Sequence, residues 1–195
     1  MKKTIFILFL ITVLNSCDNQ KLSPKETVTT YYNAFDSGDF NKIKAVIHDS
    51  ITLVSGDFVM PFNKTSFKEF YKWDSIFEPT YEILQLSEDN NDFVATITQK
   101  NIRNGFLKNN PLKLNIKVSF VSGKITKLEE LDYIDVNWTA WNQEKDSLVD
   151  WIKVNHPELD GFVNDMTMTG AMNYLKAIEL FEKKGKLEIQ KSHQP

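Results

Sequence analysis

Glu130 and Asp132 stand two residues apart in a stretch with strand chemistry, so they share a face with Leu128 and Ile134. Two carboxyl groups on one face can divide acid and base roles when their environments differ. The competing reading is a wet strand face or a dimer rim. Glu129, Tyr133 and Asp135 take the opposite face. Asp57 follows Gly56 in Ser55-Gly56-Asp57, which is turn chemistry before it is catalysis. Tyr31, Tyr32, Phe35, Phe70, Tyr71 and Trp73 recur at helical spacing. They can line an apolar pocket with tyrosine hydroxyls as orienting donors, or simply fill a core. Trp138, Trp141 and Trp151 can anchor a partner or pin an added helix to the fold. The three histidines, His48, His156 and His193, share no metal-ligand spacing, so no metal site is expected. There is no GxSxG, P-loop or dinucleotide fingerprint, and no cofactor is expected.

The elements that must carry these groups are legible. Ser23, Pro24 and Glu26 make a capping box with proline at the first helical position, and Val28, Tyr31, Tyr32 and Phe35 follow at helical spacing. Ser37-Gly38-Asp39 stops that helix and Asp39 caps a second, with Phe40, Ile43, Val46 and Ile47 as its stripe. Short strands at 51–54 and 58–60 flank the Asp57 turn. A third helix is expected over 65–76. Three strand-like runs follow, at 81–87, 93–102 and 112–136, the last broken at Ser122-Gly123; Asn104-Gly105 is read as a turn. From Leu112 to Phe120 apolar and polar residues alternate, which gives one buried and one wet face. Beyond residue 137, helices are expected to about 154 and over 170–184, the second stopped by Gly185.

The chain has 195 residues and a net charge of −3. Without a leading segment that carries Lys2 and Lys3, 21 basic face 26 acidic side chains. A mildly acidic body offers no electrostatic reason to bind nucleic acid. The sole cysteine, Cys17, excludes an intramolecular disulfide. It ends a segment made of Lys2, Lys3, an apolar run over 5–14 and then Leu14-Asn15-Ser16-Cys17. That run is too short to span a membrane, which takes about 20 apolar residues. Leu14-Asn15-Ser16-Cys17 resembles the lipobox of bacterial lipoproteins, with an aliphatic residue at −3 and a small one at −1. The resemblance implies cleavage before Cys17, acylation of Cys17, and a lipid-anchored membrane protein of the bacterial cell envelope, facing the periplasm or the cell surface. Several acyl chains at ~0.8 kcal/mol per buried methylene hold such an anchor in place. Asp18 resembles an inner-membrane retention signal of some Gram-negative bacteria, a rule that varies between groups.

Helix, helix, hairpin, helix and meander make an α+β order. The run from Tyr31 to Phe40, then Ile43, Val46-Ile47 and Ile51-Thr52-Leu53, resembles the nuclear transport factor 2-like, or SnoaL-like, superfamily. The resemblance implies a cone: a curved antiparallel sheet packed on three N-terminal helices, with a pocket at the open end and pairing into homodimers. It divides the chain into a signal peptide (1–17), a tether (18–22), the cone (23–136), a C-terminal helical extension (137–185) that closes the mouth or covers the sheet, and a polar tail (186–195). In enzymes of the superfamily the usual base position would fall near Val54 or Ser55, neither of which can serve. The expectation is therefore a non-catalytic envelope lipoprotein that binds a small apolar ligand or a protein partner. The alternatives are a SnoaL-like isomerase, dehydratase or cyclase, and a structural homodimer with a filled cone. An open pocket with an inward-facing, desolvated acid would favour the enzyme.

Overall fold

A computed structural model of the protein describes residues 22–192, with side chains through residue 186. The lipobox cysteine Cys17 and His193 lie outside these residues. The first helix, α1 (Pro24–Asp36), begins with the expected reciprocal cap: the Glu26 amide donates to Ser23 Oγ, and the Ser23 amide donates to Glu26 Oε2 at 2.8 Å. Asp39 accepts the Asn41 and Lys42 amides and so starts α2 (Phe40–Val46). Strands β1 (Ile47–Ser55) and β2 (Phe58–Asn63) form a hairpin, and Asn63 caps α3 (Lys64–Ser75). Strands β3 (Thr80–Asp89) and β4 (Asp92–Lys100) lead to a short helix, α4 (Ile102–Phe106). Asn104-Gly105 thus lies inside a helix rather than in the expected turn, because Asn101 caps it through the Asn104 amide. Strands β5 (Leu112–Val121) and β6 (Lys124–Ile134) complete a six-stranded sheet in the order β2-β1-β6-β5-β4-β3. All neighbours are antiparallel, as expected of the cone, except β1 and β6, which run parallel.

The alternation in β5 holds: Leu112, Leu114, Ile116 and Val118 are buried. The alternation in β6 does not. Leu114 pairs with Tyr133 and Ile116 with Glu130, so two residues of β6, Leu131 and Asp132, oppose one of β5. Such a bulge bends the strand and re-aims the side chains beyond it. A second irregularity at Leu84 in β3 bends the opposite side of the sheet. The curved sheet wraps α1–α3 around a core that includes Val28, Ile43, Ile51, Phe67, Ile97 and Ile125, each at most 1% exposed.

Two further helices, α5 (Trp138–Asn155) and α6 (Met168–Ser192), bracket two single 3-10 turns. Helix α6 begins earlier than expected and runs through Gly185 without stopping. A side chain at Gly185 would meet nothing within 4 Å, so no close neighbour forces a helix end there. The pair makes a second core with the end of α3 and with α4: Phe77, Leu107, Leu148, Ile152, Tyr174 and Ile178. It does not lie over the sheet. Its Trp138 and Trp141, with Met166 before α6, reach the edge of the cone's interior, and the Trp73 indole donates to the Asp165 carbonyl at 3.1 Å to join the two parts. Among the described residues no helix is long and apolar enough to cross a membrane.

Candidate functional site

Between the helices and the concave face of the sheet lies a cavity of about 350 Å³. That is the small end of the range of roughly 300–1,000 Å³ usual for ligand sites. Its walls are mostly apolar: Phe35 from α1, Phe70 and Trp73 from α3, Leu114 and Ile116 from β5, Leu128 from β6. Trp138, Trp141 and Met166 form the rim supplied by the C-terminal extension. Two polar clusters interrupt this lining.

The first stands on the sheet. Ser55 and Glu130 face each other across the parallel β1–β6 pair. The Ser55 hydroxyl and the Tyr133 phenol both donate to Glu130 Oε2. Because of the bulge, Tyr133 shares the inner face with Glu130 while Asp132 is exposed, which corrects the expected pairing of Glu130 with Asp132. Glu130 Oε1 carries no hydrogen bond among the described residues, and Glu130 lines the cavity. Burial, and then the bond to Glu130, raise the Tyr133 phenol above its ordinary range. The Tyr32 hydroxyl is buried and has no hydrogen-bond partner among the described residues, and Tyr32 lines the same cavity. Burial and the nearby Glu130 charge raise its pKa as well, so it stays a donor.

The second cluster stands on the helix side. Asp74 is 5% exposed. Tyr81 donates to Asp74 Oδ2 at 3.1 Å, Gln99 donates to the Tyr81 oxygen at 2.7 Å, and Asn104 donates to Gln99 Oε1 at 3.3 Å. Desolvation raises the Asp74 pKa against the opposing pull of Arg103 and the Tyr81 bond. A carboxyl held this way favours its protonated form. Arg103, from α4, lies 5.0 Å over the Trp73 ring and 5.4 Å from the Phe77 ring.

The aromatic residues expected to line a pocket divide. Tyr31, Tyr32, Phe35, Phe70 and Trp73 do line it. Tyr71 does not: its ring packs against those of Phe35 and Phe40 in the core of the helices. Asp57 is exposed in the β1–β2 turn. His48 lies in β1, where Nδ1 accepts the Ser50 amide, and His156 faces Glu158 at an exposed helix end. No group of three or more metal-ligating side chains occurs among the described residues. Sequence reasoning missed Asp74, Tyr81, Gln99 and Arg103. Two signals pointed to them. Asp74 falls three, four and seven residues after Tyr71, Phe70 and Phe67, in register with the buried stripe of α3. Arg103 is the only arginine among 23 basic side chains.

No protein-family model matches the sequence, and no curated protein matches it. Solved structures do share its shape. Bal32a, from a soil-derived mobile gene cassette, aligns with a TM-score of 0.51 at 17% identity, over 62% of this chain and 94% of its own. The shared feature is the fold, a curved sheet wrapped on helices. An NTF2-like protein of unknown function from Cytophaga hutchinsonii aligns with a TM-score of 0.48 at 11% identity, over 60% of this chain and 94% of its own. A cystatin-fold protein from Novosphingobium aromaticivorans gives 0.45 at 13% identity, over 57% and 99%. At such identities the likeness is one of backbone shape.

Proposed function

We propose that the cone is the active site of an acid–base enzyme of the isomerase, dehydratase or cyclase type, acting on a small hydrophobic substrate, and that lipid at Cys17 carries it on the bacterial envelope. The observation that carries the reading is the pair of carboxyl groups in one apolar cavity with unlike surroundings: Glu130, held by two hydroxyls, and Asp74, desolvated and inclined to keep its proton. Desolvation suits Asp74 to the acid role, and the Oε1 of Glu130, free among the described residues, leaves it the base role. Ser55 occupies the place where the superfamily resemblance puts a base, and it hands that place to Glu130 on the neighbouring strand.

In this reading a substrate C–H next to a carbonyl gives its proton to Glu130 Oε1. The electron pair moves onto the carbonyl oxygen, which accepts a hydrogen bond from the Tyr32 hydroxyl. Asp74, oriented by the Tyr81 hydroxyl, gives its proton to a different atom of the substrate, and exchange with solvent then removes the proton from Glu130 and restores the one on Asp74. A donor at the developing oxyanion is worth roughly 3–4 kcal/mol. A positioned base contributes roughly 10²–10⁴-fold.

The test needs no natural substrate. 5-Nitrobenzisoxazole undergoes ring opening when a base removes its C–H proton, breaking the N–O bond to give a coloured cyanophenolate. The full chain should accelerate this reaction over acetate of equal concentration, and Glu130→Gln should remove roughly 10²-fold or more of the acceleration. Equal rates in the wild type and Glu130→Gln would overturn the catalytic role. A second reading, a non-catalytic binding cone, is favoured by the double satisfaction of Glu130 Oε2. It expects that equality together with retained binding of the probe.

A further inference from the structure

Resting on the reading of the cavity as a ligand site, we propose that its ligand carries a carboxylate and that Arg103 is the residue that binds it. A guanidinium has a face and an edge, and they do different work. The face stacks on aromatic rings; the edge carries the five N–H donors. Here the stacking function is taken: Arg103 lies over Trp73 and Phe77. The donor function is not. Among the described residues the guanidinium makes no hydrogen bond and no ion pair, and its Nε is buried without a partner. A buried donor left unsatisfied costs about 1–3 kcal/mol, and more for a charged group. A side chain held on two rings at that cost, on the wall of a cavity, is preorganised for an acceptor that arrives from outside.

The bland alternative is that Arg103 serves as counter-ion to Asp74. It does exert a pull on that carboxyl, yet the two form no ion pair, and Asp74 spends its bonding on Tyr81. The residue type also matters. Every other basic side chain of this protein except the histidines is lysine. Lysine supplies a point charge, whereas the Nε–Nη edge of arginine matches the two oxygens of a carboxylate side by side. Phe70, Leu114, Leu128 and Trp141 make most of the wall apolar between the two polar clusters, so the body of the ligand is mainly hydrocarbon. The class defined is a small amphipathic monocarboxylate, its acid group on Arg103 and its body against the sheet.

Octanoate and 1-octanol, equal in chain length and different in head group, are the probes. Titration calorimetry with the full chain should show octanoate bound more tightly than octanol by about tenfold or more, the worth of a charge-assisted pair. Arg103→Gln should bring the two to equal affinity. Arg103→Lys, which keeps the charge and loses the fork, should keep part of the preference and guards against a misfolded glutamine variant. Equal affinities in the wild type, or an octanoate preference that survives in Arg103→Gln, overturn the assignment, as does failure of both probes to bind. Ring opening of 5-nitrobenzisoxazole by the same preparations separates this failure from the other. If the carboxylate preference is absent while Glu130-dependent ring opening persists, the ligand class is wrong and the acid–base site stands.

Discussion

Asp74 occupies a position where the buried stripe of α3 asks for an apolar side chain, and the protein accepts the cost of a carboxyl there. That cost has a sign and a pH window. The folded state binds the Asp74 proton more tightly than the unfolded chain does, because burial disfavours the charge. Stability therefore falls as pH rises from the ordinary aspartate value of 3.8 through the raised folded value, and it is unaffected by this group below 3.8. The Asp74→Asn substitution keeps the shape and removes the titration. Urea unfolding at a series of pH values should show Asp74→Asn gaining on the wild type inside that window, with a slope approaching about 1.4 kcal/mol per pH unit. A difference that stays constant with pH would mean that Asp74 is not desolvated as described. The same variant should slow ring opening less than Glu130→Gln does, since Asp74 is assigned the returning proton and that probe's leaving group needs none.

The elements that shape the site are secured by a second core on the far side of α3. Ile152, on α5, is fully buried in it. Truncation to alanine should cost about 2–5 kcal/mol. Because Trp73 belongs to this core and also lines the cavity, the loss should appear as one cooperative denaturant transition by tryptophan emission and by circular dichroism alike. Two separated transitions would show that the extension folds apart from the cone. The N-terminal helices and β5 were readable in the sequence because local chemistry specifies them: the Ser23–Glu26 box, the Asp39 cap, the strict alternation from Leu112. The bulge at Leu131-Asp132 was not, since a strand with acids on both faces reads equally well in either register, and pairing with β5 decides it. Helix α4 was missed because Asn104-Gly105 is turn chemistry unless the buried Asn101 caps it. The site suffered accordingly: Glu130 was legible, its partner Tyr133 was placed on the wrong face, and Arg103 was hidden in what read as a loop.

At the scale of the molecule the two ends of β6 have different neighbours. Its start, at the Ser122-Gly123 turn, lies beside the beginning of α1, where the Thr27 hydroxyl approaches the Gly123 carbonyl at 3.4 Å. Its end leads into α5, where Trp138 stacks edge-on against Tyr133 and rims the cavity. Eleven residues of strand separate the two, roughly 35 Å if straight. The chain reaches α1 from Cys17 through so few residues that Leu22 would stand within about 18 Å of a lipidated cysteine. If Cys17 carries lipid, so short a tether would set the α1 end toward the membrane and the cavity rim, at the other end of β6, away from it, so that a ligand would enter from the aqueous side. The tryptophans report on this directly. Trp73, Trp138 and Trp141 line the cavity and Trp151 packs in the second core, so none of the four belongs to the α1 end. Lipidated protein bound to vesicles containing lipids brominated along their acyl chains should keep its tryptophan emission, and Cys17→Ser protein should not bind the vesicles at all. Strong quenching of the bound protein would put the mouth against the bilayer and reverse the orientation; vesicle binding by Cys17→Ser would remove the anchor on which the orientation depends.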